Sequence, residues 1–132
     1  MYTMKQACEK TGLSYETLKF YCNQGLIPNV RRDSQNRRVF SEKNIGWING
    51  LNCLKNCNMS IREMQEYLQL CLEGTTSIPR RKEVLAVKRR ELEQELERIR
   101  ESIAYIDWKQ NFYDEVLEGK REYISNLTSD EE

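Results

Sequence analysis

The feature that most constrains the fold is a long stretch without helix-breaking residues near the C-terminus. Pro79 suits a first helical turn, the next 39 residues contain neither proline nor glycine, and Gly119 follows as a stop. We therefore predict one helix over residues 79–118. Such a helix spans about 60 Å, which is too long to fold back on a small head along its whole length.

Apolar residues recur at heptad spacing along this predicted helix, the pattern of a coiled-coil seam. The predicted seam consists of Leu85, Leu92, Leu96, Ile99, Ile103, Ile106 and Tyr113. The simplest partner is the same helix of a second copy, which would give a twofold dimer. The alternative is that the helix packs on the head of its own chain.

Residues 2–27, YTMKQACEKTGLSYETLKFYCNQGLI, have the layout of two short helices joined by a glycine-centred turn. Thr3 and Gln6 have capping-box spacing, and Gly12 suits a helix end. Ser14 is a good N-cap for the second helix, which Gly25 ends. An exposed second helix beside a basic loop is how small domains contact the DNA major groove.

Residues 30–40, VRRDSQNRRVF, predict a β-hairpin wing, because β-compatible ends flank a polar centre. Asn36 suits the left-handed conformation of a tight turn. After the wing, Ser41 caps a third helix, and Ser60 with Glu63 forms a capping box for a fourth.

These elements predict a mainly α fold, a winged helix-turn-helix head followed by a long dimerising coiled-coil helix. The predicted organisation is a DNA-binding domain at 1–72, a linker at 73–78, the dimerisation helix at 79–118 and a flexible acidic tail at 119–132.

Charge is unevenly distributed along a chain whose net charge is zero. Residues 1–58 carry nine basic and four acidic groups, a net +5, so the remainder carries −5. A basic front half suggests a nucleic-acid-facing module joined to something else. Taken alone, the asymmetry favours an ordinary mixed surface.

Several residue types and motifs are missing. The chain has no histidine, no glycine-rich phosphate loop and no serine-centred elbow, so we expect neither an enzyme nor a metal or other cofactor. It has no apolar run able to span a bilayer and no signal-peptide layout, so we expect no membrane association and a cytoplasmic protein. In that reducing compartment the five cysteines are expected to be thiols.

Three stretches, YTMKQACEKTGLSYETLKFYCNQGLIP, NRRVFSE and LKNCNMSIREMQEYL, resemble the MerR family of bacterial transcriptional regulators. The resemblance implies a winged helix-turn-helix head, an antiparallel coiled-coil homodimer and an inverted-repeat operator. It further implies that the dimer distorts the spacer of double-stranded promoter DNA so that RNA polymerase can use it.

The same resemblance assigns the residues that contact DNA. Tyr15, Glu16 and Thr17 stand where the recognition helix meets base edges, and Lys19 stands at a phosphate-contacting position. The remaining assignments are the paired aromatic positions Phe20 and Tyr21, with a phosphate contact for the Tyr21 hydroxyl, and the wing residues Arg37 and Arg38. Arg37 replaces a usual tyrosine, and Phe20 lacks the usual hydroxyl.

The segments WINGLNCLKNCNMSI, LEGTTSIPRRKEVL and IAYIDWKQNFYDEVL are similar to small MerR-type regulators that respond to aldehydes and thiol-reactive stress. Those regulators carry a sensor thiol in the third helix, where Cys53 stands. A thiolate adds to soft electrophiles when it is accessible. The competing interpretation is that Cys53 is a packed core thiol, since cysteine is often buried.

Two other functions are compatible with the sequence. One is a regulator that a protein partner controls through the C-terminal tail. The other is a coiled-coil adaptor whose head binds protein rather than DNA.

Overall fold

The computed structural model describes residues 1–127, and residues 128–132, the acidic end of the predicted tail, lie outside the described residues. The predicted mainly α fold is confirmed. The elements are β1 (Tyr2–Thr3), α1 (Met4–Thr11), α2 (Tyr15–Asn23), β2 (Arg31–Arg32), β3 (Arg38–Phe40), α3 (Glu42–Asn56), α4 (Ile61–Leu72), a 3-10 turn (Thr75–Ser77) and α5 (Ile78–Leu117).

Side-chain caps set the helix starts. The Gln6 N–H donates to Thr3 Oγ1 over 3.2 Å and the Thr3 N–H donates to Gln6 Oε1 over 2.9 Å, which completes the predicted capping box. Ser41 and Ser60 form capping boxes at the starts of α3 and α4, and the Ser14 hydroxyl accepts the Thr17 N–H at the start of α2. Each cap satisfies amide groups that a helix start otherwise leaves unpaired.

The wing belongs to a three-stranded antiparallel sheet in the order β1-β3-β2. Asn36 at its tip has φ 61, the predicted left-handed conformation. The N-terminal strand β1 was not predicted, because two residues are too few to show strand alternation. Tyr2 pairs with Phe40 and Thr3 with Val39, so the chain's start braces the wing.

One apolar core joins the recognition helix, the wing and α3. Its most buried side chains are Ala7, Leu18, Tyr21, Leu26, Phe40, Ile48, Leu51 and Met64. The core thus holds α2 by its inward face and leaves the opposite face to solvent, as the helical period of the sequence requires.

The chain divides into two compact units, Met1–Arg89 and a second unit that starts at Arg90. The first unit continues through the predicted linker and includes the start of α5. There the buried Lys88 ammonium lies 2.9 Å from Glu63 Oε2, while Glu63 Oε1 accepts the Ser60 N–H. The hydrogen bond from Lys88, followed by that from Ser60, holds the pKa of the Glu63 carboxyl below its usual value.

The second unit contains an aromatic cluster at the end of α5. The rings of Trp108 and Phe112 stack with centroids 5.8 Å apart, and Tyr123 lies 6.5 Å from both Phe112 and Tyr113. The Arg121 guanidinium also pairs with Glu115 over 2.9 Å. The first part of the predicted flexible tail therefore packs on α5, because its tyrosine and arginine find partners there.

Candidate nucleic-acid interface

Helix α2 presents a row of side chains to solvent. Tyr15 is 56% exposed and Phe20 is 45% exposed, and Glu16 and Lys19 are exposed beside them. Thr17 is half-buried, and its Oγ1 accepts a hydrogen bond from the Ser14 hydroxyl over 2.9 Å. These five predicted contact residues therefore lie on one helix, three of them in its first turn and the other two on its exposed side in the next turn.

Tyr21 differs from the other predicted contact residues of α2. Its side chain is 2% exposed, and its buried hydroxyl forms no hydrogen bond with the residues that the structure describes. Burial also raises the pKa of this hydroxyl. Tyr21 lies one helical turn after the buried Leu18, so it faces the core. The phosphate contact expected for Tyr21 would require its hydroxyl to leave this buried position, and it stays a prediction.

The Asp33 carboxylate organises the wing turn. Asp33 Oδ1 accepts the N–H groups of Gln35 and Arg37, each over 2.9 Å, and Oδ2 lies 3.3 Å from Arg37 Nε. The hydrogen bond from the Arg37 N–H, helped by that from Gln35 and by the guanidinium charge, lowers the pKa of Asp33. Because Arg37 is 72% exposed, the turn depends mainly on the backbone bonds rather than on the ion pair.

Arg38 is held by a residue that sequence reasoning missed. Its Nη2 donates to Asn23 Oδ1 over 2.8 Å, which ties the wing to the end of the recognition helix. Burial raises the pKa of the neighbouring Cys22 thiol, and the charges of Arg38 and Arg32 oppose that increase. No sequence pattern indicates such a contact, because the two partners are fifteen residues apart and on different elements.

A groove of about 350 Å³ joins the start of α2 to the wing. Tyr15, Arg37 and Arg38 line it together, as do Lys5 and Arg32, which were not assigned to DNA contact. Arg32 Nη1 donates to the Asn36 carbonyl over 2.9 Å, so it also holds the wing tip. Four cations and one carboxylate, that of Asp33, line this groove next to an exposed phenol. The excess of positive charge suits a phosphate backbone.

Titration of Asp33 gives a first testable expectation. Since its folded-state pKa is lowered, the ionised carboxylate stabilises the wing turn above the ordinary aspartate value of 3.8, and this stabilisation is lost as pH falls through the lowered pKa. We expect the amide NMR signals of Gln35 and Arg37 to shift with a midpoint below 3.8. D33N should abolish that titration, and a midpoint at or above the ordinary value would contradict the described turn.

Cysteine environments differ sharply. Cys53 on α3 is exposed, whereas Cys8, Cys22, Cys57 and Cys71 are half-buried. Burial raises the pKa of Cys8 and Cys22, and both pack against the core. Among residues 1–127, no group of three or more histidine, cysteine or acidic side chains is placed to hold a metal ion. Over the same residues, no helix is both long and apolar enough to cross a membrane.

Comparison with known proteins identifies the family. The sequence model described as "MerR HTH family regulatory protein" matches residues 2–71. The chain belongs to the MerR family. This MerR-family chain is a DNA-binding transcriptional regulator, and the resemblance inferred from its motifs is confirmed.

Individual MerR relatives cover both units of the chain. An uncharacterised HTH-type transcriptional regulator of Haemophilus influenzae is 31% identical over 112 residues, 85% of this chain and 83% of that protein. The regulator AdhR of Bacillus subtilis is 37% identical over 87 residues, 66% of this chain and 62% of AdhR. The crystal structure of HiNmlR, a MerR regulator lacking the sensor domain and bound to promoter DNA, aligns with a TM-score of 0.72 at 31% identity, covering 86% of this chain and 90% of HiNmlR.

Proposed function

We propose that this MerR-family protein acts as a homodimer that binds an inverted repeat in promoter DNA and distorts the spacer between the polymerase elements. The observation that carries the proposal is the cationic groove shared by α2 and the wing. In that groove Arg37 and Arg38 lie beside Tyr15. A recognition helix supplies base contacts, and the adjacent arginines supply phosphate contacts that orient it.

The apolar seam of α5 supports the homodimer. Leu96, Ile99, Ile103 and Ile106 are each 48–56% exposed in a single chain. Such a row of large apolar side chains is stable in water only when a partner covers it. A second copy offers a matching row, and an antiparallel arrangement would carry two heads to one inverted repeat.

Two linked heads allow the protein to use binding energy to deform DNA. Heads that grip two half-sites at a fixed separation favour a bent or untwisted spacer, with a cost that depends on the spacer sequence. RNA polymerase is the proposed partner, because it contacts realigned promoter elements better than misaligned ones.

A fluorescence titration with a promoter duplex tests this function. We expect saturation at one dimer per inverted repeat and an affinity that falls steeply with salt concentration. Equal binding to a shuffled duplex, or saturation by independent monomers on each half-site, would contradict the proposal.

We further propose that Cys53 is the sensor thiol. Its exposure distinguishes it from the other four cysteines. The thiolate sulfur attacks the carbonyl carbon of an aldehyde, so that a C–S bond forms while the C=O π bond opens to an alkoxide, which then takes up a proton from water. A modified Cys53 on α3 would change the packing of the head between its DNA-contacting elements and α4.

Replacing Cys53 by serine tests the sensor. We expect C53S to bind promoter DNA with an affinity within about twofold of wild type, since the side chain is exposed and makes no core contact. Reporter induction by formaldehyde or methylglyoxal should be lost. The half-buried Cys57 one turn later provides the matched control, C57S, which should retain induction. Induction that persists unchanged in C53S would exclude this mechanism.

A further inference from the structure

The segment that leads from the recognition helix to the wing has an unusual backbone. Gly25 has φ 69 and Asn29 has φ 63, so two left-handed residues bracket it. Leu26 and Ile27 between them are buried. The segment forms no strand, and Pro28 has no N–H to donate. The carbonyl groups of the segment therefore need hydrogen-bond donors from elsewhere in the fold.

Three side chains supply those partners at alternate residues. Gln65 Nε2 on α4 donates to the Gln24 carbonyl over 3.0 Å. On α3, the Trp47 indole N–H donates to the Leu26 carbonyl over 2.7 Å, and Asn44 Nδ2 donates to the Pro28 carbonyl over 3.0 Å. We name Asn44, Trp47 and Gln65 the carbonyl clamp.

The geometry of the clamp is well determined. Asn44 is 5% exposed, and its Oδ1 accepts the Ser41 N–H over 2.9 Å as part of the α3 capping box. The amide must therefore direct its nitrogen towards Pro28. The Trp47 indole has a single donor, so its ring orientation is set once that donor reaches Leu26.

Resting on the proposed binding of an inverted-repeat promoter, we infer that the carbonyl clamp positions the recognition helix and the wing relative to each other. Gln24 directly follows Asn23, the residue that holds Arg38, and Pro28 lies three residues before β2. The clamp therefore ties both ends of the connection to α3 and α4. None of its members lines the cationic groove, so we assign it a positioning role, not direct DNA contact.

The clamp also gives α3 a direct route to the DNA-contacting elements. Two of its three donors lie on α3, the helix that carries Cys53. A shift of α3 would pull on the Leu26 and Pro28 carbonyls and thereby move the wing relative to α2. Positioning errors of about 0.5 Å are enough to weaken a recognition surface.

The test uses Q65E and W47F in the full-length chain. Q65E replaces a donor by a carboxylate that repels the Gln24 carbonyl, and W47F keeps an aromatic ring but removes the N–H. We expect each to lower the affinity for a promoter duplex about fivefold or more, the usual effect of one lost hydrogen bond. The slope of log affinity against log salt should become shallower, because a displaced wing loses phosphate contacts.

Matched controls separate positioning from charge and from stability. Q69E places the same charge one turn further along α4, beside the same Gln24 region, and should bind like wild type. I48V in the core of α3 should lower the melting temperature without changing affinity at temperatures where it remains folded. Gln65 is only half-buried, so Q65E should fold even if W47F does not.

Amide NMR spectra of the free protein complete the test. We expect Q65E, but not Q69E, to shift the signals of residues 24–40. Wild type that binds no DNA would reject the proposed function, while the spectra would still report on the clamp. Wild type that binds normally, with Q65E and W47F binding equally well, would overturn the inference alone. An equal loss of affinity in the control I48V would also overturn the inference.

Discussion

Replacing Arg38 by glutamate is expected to reduce affinity for promoter DNA roughly a hundredfold at moderate salt. Arg38 lines the cationic groove and is aimed by Asn23 over 2.8 Å. The substitution removes a phosphate contact and places a carboxylate among DNA phosphates. Because the proposed dimer carries the change in both heads, the lost contact and the added repulsion each lower the binding free energy at two places.

The control for this experiment is R98E, which makes the same charge change on α5, outside the groove and off the seam. It should bind DNA within about twofold of wild type, as exposed charges remote from phosphate contribute little. For R38E the slope of log affinity against log salt concentration should also become shallower, by the amount expected for about one lost phosphate contact per head. Unchanged regulation by R38E would instead favour a coiled-coil adaptor, which was the competing interpretation of the sequence.

The double variant I99D/I103D is expected to convert the protein to monomers and to lower operator affinity by about two orders of magnitude or more. Both side chains lie on the seam and are about half exposed in one chain. In a dimer, two carboxylates per chain would be buried without partners, which is strongly unfavourable. Loss of the second head removes the gain in effective concentration, commonly 10²–10⁴.

Q94D/A104D is the matched control, since it adds the same two charges to α5 at positions off the seam. Analytical ultracentrifugation should show a dimer for wild type and this control, and a monomer for I99D/I103D. A wild-type monomer at micromolar concentration would contradict the proposed homodimer. Circular dichroism should show folded heads in all three proteins, since the core of the first unit does not include the substituted positions.

Local signals in the sequence predicted most of the first unit. Capping pairs such as Ser60 and Glu63 specify where a helix begins through bonds within four residues, and the structure contains them. Asn36 predicted the wing turn for the same reason, because a left-handed residue is a local requirement. Both kinds of signal depend on neighbours in the chain, so they do not need the tertiary fold.

Contacts between distant residues were not predictable in this way. The pairing of Asn23 with Arg38 and the carbonyl clamp join residues up to 41 positions apart. Tyr21 shows a related difficulty. Family resemblance gave it a phosphate contact, whereas the structure buries its hydroxyl. Lys5 follows β1 in the chain, and the pairing of β1 with β3 brings it to the groove, whereas Arg32 reaches the groove through the pairing of β2 with β3.

The contact between Glu63 and Lys88 has an evolutionary consequence. One carboxylate serves both as the cap of α4 and as the counter-ion of a buried ammonium at the start of α5. The two positions are not equivalent, because the Lys88 side chain is 9% exposed and the Glu63 side chain is 42% exposed. Water can solvate Glu63 if Lys88 is lost, whereas loss of Glu63 removes both the α4 cap and a counter-ion of a buried ammonium. Among relatives, a change at position 63 is therefore expected to accompany or follow a change at position 88.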